Sequence, residues 1–208
     1  MTKVLYVKVN PKADEFSYSA RLANAFLDAY QTENPDSQVE LLDLYQTNIP
    51  LIDADVLNGW GKLAAGTELS ETEAAKINRM GELVDQFLAA DKVVFSAPFW
   101  NFGYPPLFKA YIDSIAVAGK TFKYTENGSV GLAGDKKIAL VEARGGIYSE
   151  GPGMELQHTE SYLKTVLAFF GVTDVTVVLT EGMAADPANA DNIFAAAVER
   201  AREAGSKF

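Results

Sequence analysis

Hydrophobic positions along the 208-residue chain fall into two kinds of run that alternate from end to end. Four short stretches rich in β-branched residues, KVLYVKV from Lys3, KVVFSA from Lys92, KKIALVEA from Lys136 and DVTVVLT from Asp174, have the bounded length of strands, and QVELLDL from Gln38 is a weaker fifth. Between them the apolar residues return at helical spacing. Leu22, Phe26, Ala29 and Tyr30 form one stripe on a helix over Ser19 to Tyr30 that opens just after Ser17 and Ser19. Ser70 to Ala90, Leu107 to Val117, Thr159 to Phe170 and an Ala-rich segment from about Pro187 carry the same pattern. The stretch from Leu44 to Leu69 fits neither pattern, and is too long and apolar for an idle connection. Within it, Trp60 between Gly59 and Gly61 suits a pocket rim, a subunit contact or burial in its own domain.

Five strands each followed by a helix predict an α/β fold with parallel strands and crossover helices on both faces. At this length the flavodoxin-like strand order 2-1-3-4-5 fits better than a six-stranded dinucleotide fold, and the chain is expected to form one domain over 1–208. Twenty-eight acidic against 18 basic residues give a net charge of −10, which repels polyanions and predicts no nucleic-acid partner. No cysteine is present, so thiolate catalysis and sulfur-ligated zinc are excluded. The single histidine, His158, is expected at a surface or helix start, and no metal site is predicted. Because MTKVLYVKVN enters a strand at once and no apolar run has membrane-spanning length, a cytoplasmic protein without a membrane partner is expected.

Ligands of open parallel sheets bind outside the carboxyl ends of the strands, near the point where strand order reverses. The loops after strands one, three and four there are NPKADEFSYSA, PFWNFGYPP and RGGIYSEGPG. The first ends in Ser17, Tyr18 and Ser19 at a helix start, where hydroxyls and unpaired N–H groups suit a phosphate; a serine here also serves as a helix cap. Lys8, Lys12 and Arg21 lie nearby in sequence. The second loop crowds Phe99, Trp100, Phe102 and Tyr104 around Asn101, suiting a flat aromatic cofactor whose heterocyclic edge needs both donors and acceptors. Folding back onto the core or a dimer contact is the alternative for each aromatic. In the third, Gly145 and Gly146 follow Arg144 and allow close backbone approach with N–H groups aimed outward. Together the loops describe a site for a phosphorylated flat ring, and FMN fits.

Across its length the chain resembles the FMN-dependent NAD(P)H azoreductases, a quinone-reducing family, most closely in APFWNFGYPPLFKAYIDSIAVAGKTFKYTENGSVGL and ARGGIYSEGP. The resemblance implies that Ser17, Tyr18 and Ser19 hold the FMN phosphate, that Phe99, Trp100, Asn101 and Phe102 lie against the isoalloxazine, and that Ala143, Arg144, Gly145 and Gly146 reach its pyrimidine side. Asn10 and Ala143 stand where the family often has hydroxyl residues; the asparagine replaces its contact and the alanine offers backbone only. The resemblance further implies a homodimer with both flavin sites at the interface. On the helix from Thr159, Leu163, Leu167 and Phe170 make one stripe, and Tyr162 and Phe169 a second apolar face about 100° around it.

The expected activity is hydride transfer from NADH or NADPH to FMN, followed by reduction of a quinone or azo compound in a ping-pong sequence. The cofactor carries the redox chemistry, so no catalytic side chain is assigned. Backbone donors at Asn101–Phe102 and Gly145–Gly146 would stabilise charge on the ring, and Tyr124, Tyr148 and Phe169 are the expected substrate-side residues. No G-x-G-x-x-G follows any strand, which suits a nicotinamide that comes and goes. Two rivals are a one-electron carrier like flavodoxin, whose acidic surface docks basic partners, and a non-redox receiver domain. The first loop lacks the Thr-rich, glycine-containing phosphate loop of the former, and strand three ends in Ser96-Ala97-Pro98 rather than the acidic cluster of the latter.

Overall fold

The computed structural model describes residues 1–208. Five parallel strands, β1 (Lys3–Lys8), β2 (Gln38–Asp43), β3 (Lys92–Pro98), β6 (Lys137–Arg144) and β7 (Asp174–Glu181), form one sheet in the order β2-β1-β3-β6-β7. That is the predicted order 2-1-3-4-5. Helices α1 (Tyr18–Glu33) and α6 (Ala190–Lys207) cover one face, and α3 (Glu71–Ala89), α4 (Pro106–Ile115) and α5 (Glu160–Phe169) cover the other. No helix is long and apolar enough to cross a membrane.

Strand alternation distributes the core. Leu5, Val7, Val93, Phe95, Ile138 and Leu140 face the α3–α5 side, while Val4, Tyr6, Val94, Ala139 and Val141 face α1 and α6. Because both faces are covered, the central strands read as continuous apolar runs, the signature on which the parallel sheet was predicted. Phe95 packs its ring against Phe108 and Tyr111 of α4, tying β3 to the helix that follows the aromatic loop.

Three features depart from the expectation. The supposedly irregular stretch Leu44–Leu69 contains a twelve-residue helix, α2 (Ala54–Ala65). Asp53 caps it by accepting from the Asp55 and Val56 amides, and Gly66 ends it at φ +67°. Gly59 and Gly61 lower its helical propensity and disguise it in the sequence. Gly59 is required by packing, since a Cβ there would sit 2.4 Å from Ile77 Cδ1 of α3. Trp60 stands on the outer side of this helix, exposed with Leu57 and Leu63, and lines no part of the cleft described below. Second, β4 (Phe122–Thr125) and β5 (Gly128–Gly131) form an antiparallel hairpin between α4 and β6. Third, α6 begins at Ala190, after a 3-10 turn over Pro187–Asn189, three residues later than predicted.

Candidate functional site

The carboxyl ends of β1, β3 and β6 bring the three loops together. A cleft of about 270 Å³ is lined by Asn10, Lys12, Ser17, Tyr18 and Ser19 from the first loop, Pro98 and Trp100 from the second, and Ala143, Arg144 and Gly145 from the third.

At the first loop, Ser17 is the N-cap of α1, its Oγ accepting from the Ala20 amide at 3.2 Å. Asn10 Nδ2 donates to the same oxygen at 2.9 Å, and the Lys12 amide fixes Asn10 by donating to its Oδ1. With both acceptor positions of Ser17 taken, its hydroxyl proton is left for Ser19 Oγ, 3.2 Å away, or for a ligand. The Tyr18 and Ser19 amides head the helix with no protein acceptor. Capping and anion binding are therefore joint uses of one serine. The nearby cations divide. Lys8 pairs with Asp14 at 2.8 Å and Asp43 at 3.2 Å; burial opposes its charge, but the two carboxylates outweigh it and hold its ammonium above the ordinary lysine range. Arg21 lies 4.3 Å over the Phe194 ring, which leaves Lys12 as the one of these three cations that lines the cleft.

The second loop closes on itself between Trp100 and Gly103, whose amides and carbonyls exchange hydrogen bonds of 2.9 and 3.0 Å. Asn101 and Phe102 occupy the turn at φ +49° and +68°, the only non-glycine residues with positive φ. Asparagine tolerates that region and phenylalanine does not, so the turn stores local strain of about 1–2 kcal/mol. In return the Asn101 and Phe102 amides have no intramolecular acceptor and stand free at the sheet edge. Phe99 folds inward, its ring 4.5 Å from Tyr148 and near Phe102, while Trp100 faces the cleft. Pro105 and Pro106 end the loop at the start of α4.

At the third loop the backbone has a fixed direction. The Gly145 carbonyl accepts from Ala184 at 2.8 Å and that of Gly146 from Gly182 at 3.1 Å, so both carbonyls are engaged behind the loop and both amides remain free. Ala143 lines the cleft without a hydroxyl. Arg144 is 1% exposed, and its guanidinium lies beneath the cleft rather than reaching across it. Its Nε donates to Glu142 at 2.5 Å, its other nitrogens lie 3.6 Å from Glu181 and 3.9 Å from Glu160, and the Phe99 ring stacks against it at 5.6 Å. Thr159 Oγ1 donates to Glu142 at 2.9 Å. Burial pushes the Glu142 carboxyl above the ordinary range, against the pull of Arg144, and burial together with Glu142 raises the Tyr104 hydroxyl.

Of the predicted residues, Phe99, Asn101, Phe102 and Gly146 belong to the same loops as lining residues without lining the cleft themselves, and the three substrate-side residues lie outside it as well. Tyr148 packs on Phe99 beside the cleft, whereas Tyr124 on the hairpin and Phe169 at the end of α5 flank Phe122 in a separate aromatic cluster. His158 is exposed immediately before α5, its amide donating to the Phe102 carbonyl at 3.1 Å. The sequence reading overlooked a fourth wall: Met183 and Ala184, from the loop after β7, line the cleft, as does Phe16. The rule that ligands collect at strand carboxyl ends covers β7 too, and Gly182, at φ +92°, marks the turn.

The donor set fits FMN: amides and hydroxyls at a helix start for a phosphate, an aromatic wall, and two pairs of free amides for the polar edges of a ring. Residues 2–204 match the family described as flavodoxin-like fold. The chain is 51% identical over 211 residues to FMN-dependent NADH:quinone oxidoreductase 2 of Bacillus subtilis and 52% identical to an FMN-dependent NADH:quinone oxidoreductase of Bacillus pumilus, each match covering 100% of both chains. It superposes on a Bacillus anthracis azoreductase with a TM-score of 0.94 at 44% identity over 100% of both chains. A Bacillus anthracis FMN-dependent NADH-azoreductase solved with FMN gives 0.93 at 34% identity, covering 100% of this chain and 99% of that one.

Proposed function

The chain belongs to the flavodoxin-like fold family, and from that membership we propose that it is an FMN-dependent oxidoreductase that takes electrons from NADH or NADPH and passes them to quinones and aromatic azo compounds. The carrying observation is the convergence of three loops on one cleft with the Asn101, Phe102, Gly145 and Gly146 amides all unpaired. Bound FMN would supply the redox chemistry, accepting a hydride and delivering it to the acceptor.

The protein's own residues bind, orient and polarise. Ser17, Tyr18, Ser19, Asn10 and Lys12 would hold the phosphate, combining helix-start amides, hydroxyls and one cation. Trp100 and Phe99 would wall the ring, and the two amide pairs would meet its polar edges, where fixed donors cost no reorganisation as charge develops. Alternation of NAD(P)H and acceptor over one open flavin face gives ping-pong kinetics. The exposed aromatics Tyr124 and Phe169, which lie outside the cleft of one chain, support a homodimer in which the partner covers the substrate side of each site. In that dimer Tyr124 and Phe169 of the hairpin cluster would serve the substrate side, with Tyr148 beside the ring. A cytoplasmic location goes with this function.

The test is an FMN titration followed by visible absorption and then steady-state kinetics with NADH and a quinone. One FMN per chain and parallel double-reciprocal lines are expected. Failure to retain flavin would overturn the assignment, and intersecting lines would overturn the alternation. A one-electron carrier would bind flavin yet show no quinone-dependent NADH oxidation.

A further inference from the structure

The ring-side loops are held by β7, and specifically by its last residue. Glu181 is not on the cleft surface, yet its carboxylate accepts from the Tyr148 amide at 3.1 Å, from the Ser149 amide at 3.3 Å and from the Ser149 hydroxyl. Its Oε2 lies 3.6 Å from Arg144 Nη1. The two following turns of chain fasten the same loop from behind, through the Gly182 amide on the Gly146 carbonyl and the Ala184 amide on the Gly145 carbonyl. Arg144 in turn supports Phe99 through its ring face and reaches Glu142 on β6 and Glu160 at the start of α5.

We infer that Glu181 is a positioning residue for the flavin site: it fixes the Gly145–Ser149 loop so that the Gly145 and Gly146 amides face outward, and it sets how much of the Arg144 charge is felt at the pyrimidine side of the ring. The inference rests on the FMN assignment above. Three hydrogen bonds from one short loop segment to a single carboxylate, itself facing a buried guanidinium, are more than a strand end needs for pairing. Glu142, Glu160 and Glu181 surround one arginine, so removing one carboxylate changes the local charge without leaving the guanidinium unpaired. A less offset guanidinium favours the electron-rich reduced ring and makes the bound cofactor easier to reduce.

Two variants test this. In Glu181→Ala, hydrogen exchange of the flavin-free protein should rise at the Tyr148 and Ser149 amides, and the FMN dissociation constant should rise about 10- to 100-fold, the loss expected when charged hydrogen bonds are broken. In Glu181→Gln, which keeps the side-chain shape and one acceptor oxygen, the midpoint potential of bound FMN should move to more positive values while KM for the quinone changes less than kcat. Unchanged exchange and FMN affinity in the alanine variant, or an unmoved potential in the glutamine variant, would overturn the inference. If the wild-type chain itself bound no FMN, the cofactor assignment would fall, whereas the exchange measurement would still decide whether Glu181 anchors the loop.

Discussion

Ser17 shows how one side chain can serve folding and function together. Its oxygen accepts from the Ala20 amide, closing the first turn of α1, and from Asn10 Nδ2, closing the loop after β1. Ser17→Ala removes the one oxygen that accepts both bonds, so it should cost about 1 kcal/mol for the cap and somewhat more for the buried amide nitrogen left without a partner. The same change removes a donor from the phosphate cradle, and FMN affinity should fall about tenfold or more, a hydrogen bond to a charged group being worth roughly 1.5–3 kcal/mol. Lys8→Ala is the contrast. Its ammonium is held between Asp14 and Asp43, so its loss should leave FMN affinity within about twofold, as expected for a group that contributes no contact to the ligand. Thermal unfolding with flavin-fluorescence titration reads both quantities, and equal effects of the two variants on FMN would contradict the division of these cations.

The elements differ in how plainly the chain announces them. The five strands and their order were legible because a parallel sheet buried on both faces writes itself as uninterrupted apolar runs such as VVF in β3. That Asn10, Ser17, Tyr18, Ser19, Trp100, Ala143, Arg144 and Gly145 share one cleft was legible because strand order alone brings their loops to a common edge. What stayed hidden depends on contacts distant in sequence. Helix α2 carries its cap at Asp53 and its stop at Gly66, but two glycines in its middle break the pattern, and only the approach to Ile77 explains one of them. The resemblance puts Arg144 in the segment that reaches the ring; its burial follows from Glu142, Glu160 and Glu181, which arrive from three different elements. The hairpin β4–β5 was missed although Asn127-Gly128 after FKYT is a turn signal, and nothing local marks its seat. Gly131 lies so close to the end of α5 that a Cβ would come within 2.1 Å of the Gly171 nitrogen and 2.2 Å of the Phe170 carbonyl carbon. Both neighbours are backbone and cannot swing aside. Gly131→Ala should therefore lift the hairpin, with a loss of about 1–3 kcal/mol and a fall in Tm of roughly 2–4 °C per kcal/mol. FMN affinity should hold, since the flavin cleft contains no hairpin residue; calorimetry with FMN titration checks both halves, and unchanged Tm would show that the contact yields easily.

At the scale of the whole molecule the aromatic cluster on the hairpin has no evident use within one chain. Tyr124 is 74% exposed, its ring 5.5 Å from Phe122, and Phe122 stacks at 4.5 Å on the partly exposed Phe169. None of the three lines the cleft. Grouped exposed aromatics usually mark a contact surface, and a two-fold arrangement would let each chain present its hairpin cluster to the open side of the other chain's flavin. Such a dimer makes activity depend on association while flavin binding at the phosphate and ring edges stays a property of each chain. Light scattering should accordingly give twice the 22.5 kDa chain mass, and turnover per chain should fall on dilution through the dimer dissociation range. Tyr124→Ala should keep one FMN per chain but lower kcat/KM for quinones about tenfold, as when roughly 1.4 kcal/mol of transition-state stabilisation is removed. Mixing that variant with a Ser17→Ala, Ser19→Ala double variant separates contact in trans from contact in cis. The mixed dimer carries its one intact flavin cleft and its one intact Tyr124 on different chains, so the two meet only if the tyrosine acts across the interface. If Tyr124 acts across the interface, flavin held by the Tyr124→Ala chain meets the intact tyrosine of its partner, and activity should recover. A monomer of full activity would remove the interface from the reaction, and a mixture that regains nothing would place Tyr124 beside its own chain's flavin.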